Sequence, residues 1–412
     1  MLSLLRPGPF RIYIIGSAIS DTGTWMQVMA QGWVMSTLTN KAIYLGLIGF
    51  ASGIPSLALT MIGGSVADRY DKRMILIATQ IVQALLALIL GTLVLTGRIQ
   101  IWHIVALAAC LGVCIAFEMP AINALVPELV KPDDIANAIA LDRSVFHGSR
   151  LVGPSLAGIC VAGWGAASAF FANSVSFLAL IVAMLCLPKR AVGTAEEEEQ
   201  RKSGFKDGLR YVRQDRIIML MIALIALVTI FVFPVVGVML PLYVRNVLHL
   251  GPRQMGYLMA CSGTGSLLGA LGLLSIERKN RFRLMAGAVI FVSLALFSLS
   301  RFSSFILSAL AMGVLAIALS LNFGLANTIV QERAPAPLRG RISAVFGLSF
   351  FGLMPIAGLG IPSLADYFGM RPTLTVSAIA FAVLGSIIVN AAGRTVCEAP
   401  TGVVPETEAL VA

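Results

Sequence analysis

Gly63-Gly64-Ser65-Val66-Ala67-Asp68-Arg69-Tyr70-Asp71-Lys72-Arg73 is a short, densely charged turn between two long apolar runs. Ala42 to Val66 upstream and Met74 to Gly97 downstream carry no charged side chain. About 20 apolar residues cross a bilayer as a helix, so the stretch reads as two membrane spans joined by a basic turn. Composition agrees along the whole chain. A soluble domain is about half apolar and about a quarter charged. These 412 residues are 58% hydrophobic and 12% charged, which excludes an ordinary globular protein.

Twelve apolar runs have the length of spans, near 11–37, 42–67, 74–96, 101–127, 135–163, 165–187, 217–244, 253–276, 284–300, 303–331, 339–365 and 372–393. The fold class predicted is an all-α polytopic membrane protein with twelve transmembrane helices. With twelve spans, the termini and every even-to-odd connection share one side, and that side holds 23 of the 30 Lys and Arg residues. The other side holds Lys41, Arg98, Arg245, Arg253, Arg301 and Arg371, while Arg150 falls within a span. Basic connections mark the cytoplasmic side, so a multi-pass protein of a bacterial inner membrane with both termini in the cytoplasm is expected. The same placement accounts for the net charge of +10 without a nucleic-acid partner. Met1 to Pro9 has no small-residue cleavage site, so the first run reads as a retained span. Five of the six cysteines lie in apolar runs and none forms a CxxC pair, so neither disulfides nor a metal site is expected.

The expected organisation is a bundle over residues 1–187, a linker over 188–216, a second bundle over 217–393 and a tail over 394–412. The linker holds Glu196-Glu197-Glu198-Glu199, a solvated charge run. After it, Phe205, Leu209 and Val212 recur at helical spacing among Lys206, Arg210 and Arg213, a pattern suited to lying on the anionic cytoplasmic leaflet. The halves match at an offset of 204: Asn123 with Asn327, Val126 with Val330, Glu128 with Glu332 and Gly165 with Gly369. Glu277-Arg278-Lys279-Asn280-Arg281 is a degraded copy of the basic turn.

The pattern G-x-x-x-D-R-x-x-x-R over Gly64, Asp68, Arg69 and Arg73 resembles the signature of the major facilitator superfamily of transporters. Arg150-Leu151-Val152-Gly153-Pro154-Ser155-Leu156-Ala157-Gly158 resembles the R-x-x-G-P-x-x-x-G pattern of its proton-coupled exporters. Phe117 to Ala121, Val126 to Val130, Ala136-Asn137-Ala138, Trp25-Met26-Gln27, Tyr211-Val212-Arg213 and Leu338-Arg339-Gly340-Arg341 are similar to the branch of enterobactin-exporter-like and multidrug efflux permeases. The likeness runs from Phe10 to about Gly369. It departs at Asp142, commonly a neutral Asn in that branch, and reads here as a local pair with Arg143 at the cytoplasmic rim. The resemblance implies two six-helix bundles with a substrate site at the midplane between them. It also implies that Asp68 sits against the start of the eleventh span, where the helix dipole favours an anion and Arg339 and Arg341 add positive charge. That contact would close the cytoplasmic side, with Gly64, Arg69 and Arg73 completing the gate. Gly153, Pro154 and Gly158 would bend and seal the fifth span.

The residues also speak for themselves. Ser17, Ser20, Thr24, Gln27 and Gln31 share one face of the first span, and such a stripe is expensive against lipid, so it should face an interior cavity. Asp21 lies at its edge, about 15 Å beyond Arg11 at 1.5 Å per residue. A buried carboxyl there suits a reversible proton carrier; the alternative is a permanent pair with Arg150 or another cation. Glu118 lies near the cytoplasmic end of the fourth span, ahead of Asn123, where the branch this chain resembles usually carries an acidic residue; Arg150 lies near mid-membrane, where a charge is costly and usually functional. The coupling and substrate-cavity candidates are thus Asp21, Gln27, Gln31, Glu118, Asn123 and Arg150. Phe146, Phe231, Phe233, Tyr243, Tyr257, Phe323, Phe346 and Phe350 are expected to give the cavity an apolar, aromatic wall.

No catalytic elbow, metal-ligand spacing or phosphate loop occurs, so neither an enzyme nor a cofactor is expected. The expected function is proton-coupled export of a small hydrophobic or amphiphilic compound by alternating access. Uptake or facilitated diffusion of a metabolite is the alternative within transport. A non-transporting sensor or assembly partner is the alternative outside it, and it would need a sizeable soluble domain.

Overall fold

The computed structural model describes residues 7–187 and 205–398. The run of four glutamates, most of the linker and the tail beyond residue 398 lie outside the described residues. The first half comprises α1 (Pro9–Leu38), α2 (Ala42–Arg69), α3 (Lys72–Leu95), α4 (Ile101–Glu128), α5 (Ile135–Trp164) and α6 (Ala167–Cys186). A short α7 (Phe205–Gln214) leads into α8 (Arg216–Val238) and α9 (Pro252–Gly272). The chain continues through α10 (Arg281–Arg301), α11 (Phe305–Arg333), α12 (Ala336–Phe368) and α13 (Met370–Glu398). Among the described residues nine helices are long and apolar enough to cross a membrane by length and composition. The more polar α1, α5 and α9 complete the twelve.

Local chemistry sets the helix ends. Pro9 opens α1, where a missing N–H costs nothing. Asp71 caps α3 by accepting the Arg73 N–H at 2.9 Å. Asp215 caps α8 through the N–H groups of Ile217 and Ile218, at 2.9 and 3.1 Å. Gly165 (φ 81°) ends α5 and Gly369 (φ 91°) ends α12, in backbone conformations that glycine alone adopts freely. These are the two glycines paired by the internal offset.

Outward faces are apolar where a soluble protein would be polar: Met61, Val175 and Ile306 are strongly exposed. In lipid such faces need no cover. Within the first bundle α1 packs on α5 and α6, α3 on α4 and α6, and α2 on α4; in the second, α10 packs on α11 and α13, and α9 on α11. The bundles meet along two seams, α2 with α12 and α5 with α9. Glycines permit the close approach: a side chain at Gly46 would collide with the Gly358 carbonyl.

One feature differs from expectation. The apolar face of α7 is taken up by the protein itself: Val212 is buried in the second bundle's core, and Gly208 abuts Arg341. The cysteines of α4 differ in environment: Cys114 is buried and Cys110 is exposed.

Candidate functional site

The polar stripe of α1 is buried as predicted, but neighbouring helices close over much of it. Gln27 accepts a 2.8 Å hydrogen bond from Asn173 of α6, and Ser20 donates to Gln80 of α3 at 3.0 Å. Gln31 is buried too. Ser20 and Gln27 therefore brace the first bundle. Asp21 stays half-buried at the stripe's edge, with Ser17 donating to it at 3.1 Å. Among the described residues no ion pair joins Asp21 to Arg150. The Arg150 guanidinium, exposed between the helices, lies instead 5.3 Å over the Trp25 ring in a cation–π contact.

Glu118 is held by two residues that sequence reasoning missed. Gln80 donates to one carboxylate oxygen at 2.7 Å and Gln83 to the other at 2.6 Å. The signal was present: two glutamines three residues apart share one face of an otherwise apolar α3. Asn123 accepts from Arg143 at 2.6 Å. With Arg143 so engaged, Asp142 is no rim pair. It is buried and accepts the Tyr13 hydroxyl at 2.7 Å, so α1 and α5 are bonded where a surface pair was expected.

At the basic turn the glycine that allows close approach is Gly63, whose side chain would collide with the Ala116 carbonyl; Gly64 faces open space. Arg73 is buried and ties α3 to the end of α6 by donating to the Met184 carbonyl at 3.0 Å. Lys72 pairs with Glu128 at 2.8 Å. The second half repeats the device: Arg278 and Arg281 both bind Glu332 at 2.8 Å. Asp68, Arg69 and Arg341 are each engaged with a partner, and Arg339 is exposed.

The glycines of α5 serve two seams. Gly153 abuts Thr22 and Trp25 of α1. A Cβ at Gly158 would come 3.0 Å from the Pro252 carbonyl and 3.1 Å from Gly256 Cα, across the bundle boundary. Pro154 is buried between them. On the membrane face opposite the basic turns, Asp366 caps the start of α2, and Arg245 binds the Ser36 carbonyl and Asn40. Neither residue was singled out in the sequence.

Some of the aromatic residues expected to line a cavity come together in the second bundle. Phe323 contacts Phe346 and Phe350, with centroids 5.3 and 5.6 Å apart, and Phe350 meets Phe233 at 5.8 Å. Phe350 lies in a π-helical turn, Leu348–Gly352, and Phe233 lies between two more, Val228–Val232 and Pro234–Val238. Such widened turns occur frequently at functional sites. Tyr243 has a structural place, its hydroxyl 3.0 Å from Ser308, and Tyr257 accepts from Arg253 at 3.0 Å.

The family model described as transmembrane secretion effector (MFS_3) matches residues 1–402. The chain belongs to that family of major facilitator superfamily transporters. It is 23% identical to the multidrug efflux pump Tap of Mycolicibacterium fortuitum, over 93% of this chain and 96% of that protein. It is 28% identical to the staphyloferrin A transporter of Staphylococcus aureus over 43% of this chain and 45% of that one. Among solved structures, a bacterial homologue of the human lysosomal transporter Spinster, inward-facing and unoccupied, aligns with a TM-score of 0.70 at 14% identity, over 94% and 96% of the two chains. The nucleoside transporter NupG aligns at 0.70 and 13%, over 95% and 99%. At these identities the structures speak for the fold alone. As a member of this family the chain is a multi-pass membrane transporter, and its buried carboxylates, Arg150 and aromatic cluster lie on the helices described above.

Proposed function

We propose that the chain is a proton-coupled exporter of a small hydrophobic or amphiphilic compound, working by alternating access from the bacterial inner membrane. The observation that carries this reading is an unequal division of chemistry between the bundles. Besides Asp142, which holds the Tyr13 hydroxyl, the first holds the carboxylates Asp21 and Glu118, each hydrogen-bonded and neither paired with a cation in the described contacts. The second presents contiguous aromatic rings with no fixed charge among them. The first can take and release protons; the second suits apolar cargo. The relatives named as efflux pumps point the same way.

In this reading residues 1–187 and 217–393 are the two moving bundles, with 188–216 as linker. The face of the basic turns, and with it both termini, is cytoplasmic. Gly64, Asp68, Arg69, Arg73, Arg339 and Arg341 form the gate on that face. Gln27, Gln31 and Asn123 brace the cavity helices, and Gly153, Pro154 and Gly158 shape the seam opposite. The partners are a small molecule, protons and the bilayer.

The test is efflux from proteoliposomes under an imposed pH gradient, with a lipophilic fluorescent dye as cargo. Wild type is expected to couple the gradient to dye movement and Asp21→Asn to lose that coupling. Undiminished gradient-driven transport by the variant would remove Asp21 from the mechanism.

A further inference from the structure

The two halves can be aligned through one ion pair each. Lys72 binds Glu128 and Arg281 binds Glu332, both at 2.8 Å, and the two glutamates correspond across the repeat. Ten residues before each glutamate stand Glu118 in the first half and Asn322 in the second. Eight and eleven residues after each basic residue stand Gln80 and Gln83 in the first half, Val289 and Val292 in the second. One position in the architecture is therefore built in two ways.

In the first bundle the position is a closed polar circuit. Both oxygens of Glu118 accept amide N–H groups, from Gln80 and Gln83. The Gln80 carbonyl oxygen in turn accepts the Ser20 hydroxyl at 3.0 Å. With its oxygen occupied in this way, the Gln80 amide presents its NH2 to Glu118, as an acceptor-only carboxylate requires. In the second bundle Val289 and Val292 are fully buried, and Asn322, also fully buried, has neither Oδ1 nor Nδ2 partnered. There the helix equivalent to α3 offers nothing to a polar side chain.

We propose that Gln80 and Gln83 are positioning residues for Glu118, holding its carboxylate in the ionised, doubly bound orientation, and that the chain carries this device in its first half alone. An ionised carboxylate only accepts; once protonated it must also donate from one oxygen. That O–H would face an amide N–H, so protonation of Glu118 forces a glutamine amide to turn or the carboxyl to leave. A turned Gln80 would donate to the Ser20 hydroxyl in place of accepting from it, so the bond to Ser20, which adjoins Asp21 on α1, must reverse its sense. A proton taken up on α4 is thereby felt on α1. Asp21 on α1 and Cys114, one turn earlier on α4, are the titratable groups in electrostatic reach of Glu118. The inference rests on reading Glu118 as a coupling carboxyl.

The test needs no cargo. Dicyclohexylcarbodiimide attacks protonated carboxyls in apolar surroundings, and mass spectrometry of the Glu118 peptide reports the rate. With the purified full-length protein, Gln80→Leu/Gln83→Leu is expected to raise that rate about tenfold, as for loss of a hydrogen bond to a charged group. Ser20→Ala, which removes one hydroxyl and keeps both amides, is expected to raise it about threefold, and it decides the matter if the double variant does not fold. Equal rates in wild type and variants would overturn the proposal, as would a Glu118 that is never labelled. Failure of the export reading in the Asp21→Asn experiment would leave these rates as they are, so the two failures are distinguishable.

Discussion

The carboxylate of Asp366, near the end of α12, accepts the backbone N–H groups of Ala42 at 2.5 Å and Ile43 at 2.9 Å, at the first turn of α2. A helix N-terminus carries unsatisfied donors and partial positive charge, so this carboxylate joins the two bundles as an N-cap in trans. Asp68 lies at the other end of α2 and is proposed to meet the start of α12. The same antiparallel helix pair would then be latched by one aspartate on each membrane face. A cap of this kind is worth about 0.5–2 kcal/mol, or roughly 2- to 30-fold in an opening equilibrium. Asp366→Ala should therefore populate a state open on this face. Electron–electron distances between spin labels at Leu38 and Tyr367, both exposed, should show a new longer component. An unchanged distribution would mean that the seam holds without the cap.

The α5–α9 seam should be less tolerant. Gly158 and Gly256 leave no room for a side chain between their helices, and inserting atoms into a packed contact typically costs about 1–3 kcal/mol. Gly158→Leu is expected to lose transport while remaining monodisperse in detergent, because the clash lies between bundles and spares each bundle's own core. Gly163→Leu, at a position with open space, is the control and should transport normally. Full transport by Gly158→Leu would show that this closure is dispensable.

Much of this architecture was legible in the sequence because membrane helices are written in runs of composition, which need no knowledge of packing. Span limits and the basic turns followed from chemistry local in the chain, and the glycines of the α5 seam from the family resemblance of their motif. What escaped were partnerships between distant helices. Nothing near Asp366 points to Ala42, which lies 324 residues away. Gln80 and Gln83 could be seen as a polar pair, but their target Glu118 comes from another helix. The burial of Asp142 was misread for the same reason, since Tyr13 is invisible from its neighbours. The face of α7 was legible, and its occupant was not: the apolar residues that suit a membrane surface suit the start of α12 equally well.

The two basic turns should prove unequal. Asp68 sits in the intact signature, whereas Glu277 forms an exposed pair with Lys279 at 2.9 Å, and such pairs contribute about 0–1 kcal/mol. Asp68→Asn should impair closure on the basic face and reduce transport severely, and Glu277→Gln should leave it near wild type. Dye efflux from cells expressing each variant at matched levels measures the difference. Equal loss in both would place the gate in both turns.

Phe350 is the centre of the aromatic cluster, in ring contact with Phe233, Phe323 and Phe351 at 5.8, 5.6 and 5.1 Å. Each such contact is worth about 0.5–1.5 kcal/mol beyond area burial, and a flat ligand entering the cluster would replace one or more of them. Phe350→Ala should therefore weaken binding of a lipophilic dye, raising KM about tenfold, and leave the turnover rate at saturating dye within about twofold. Phe350→Leu keeps the apolar volume but not the ring, and should fall between. A fall in turnover with unchanged KM would assign Phe350 to the motion of the π-wound segments and not to the cargo. The distinction matters because the ring sits where α8 and α12 both depart from regular winding.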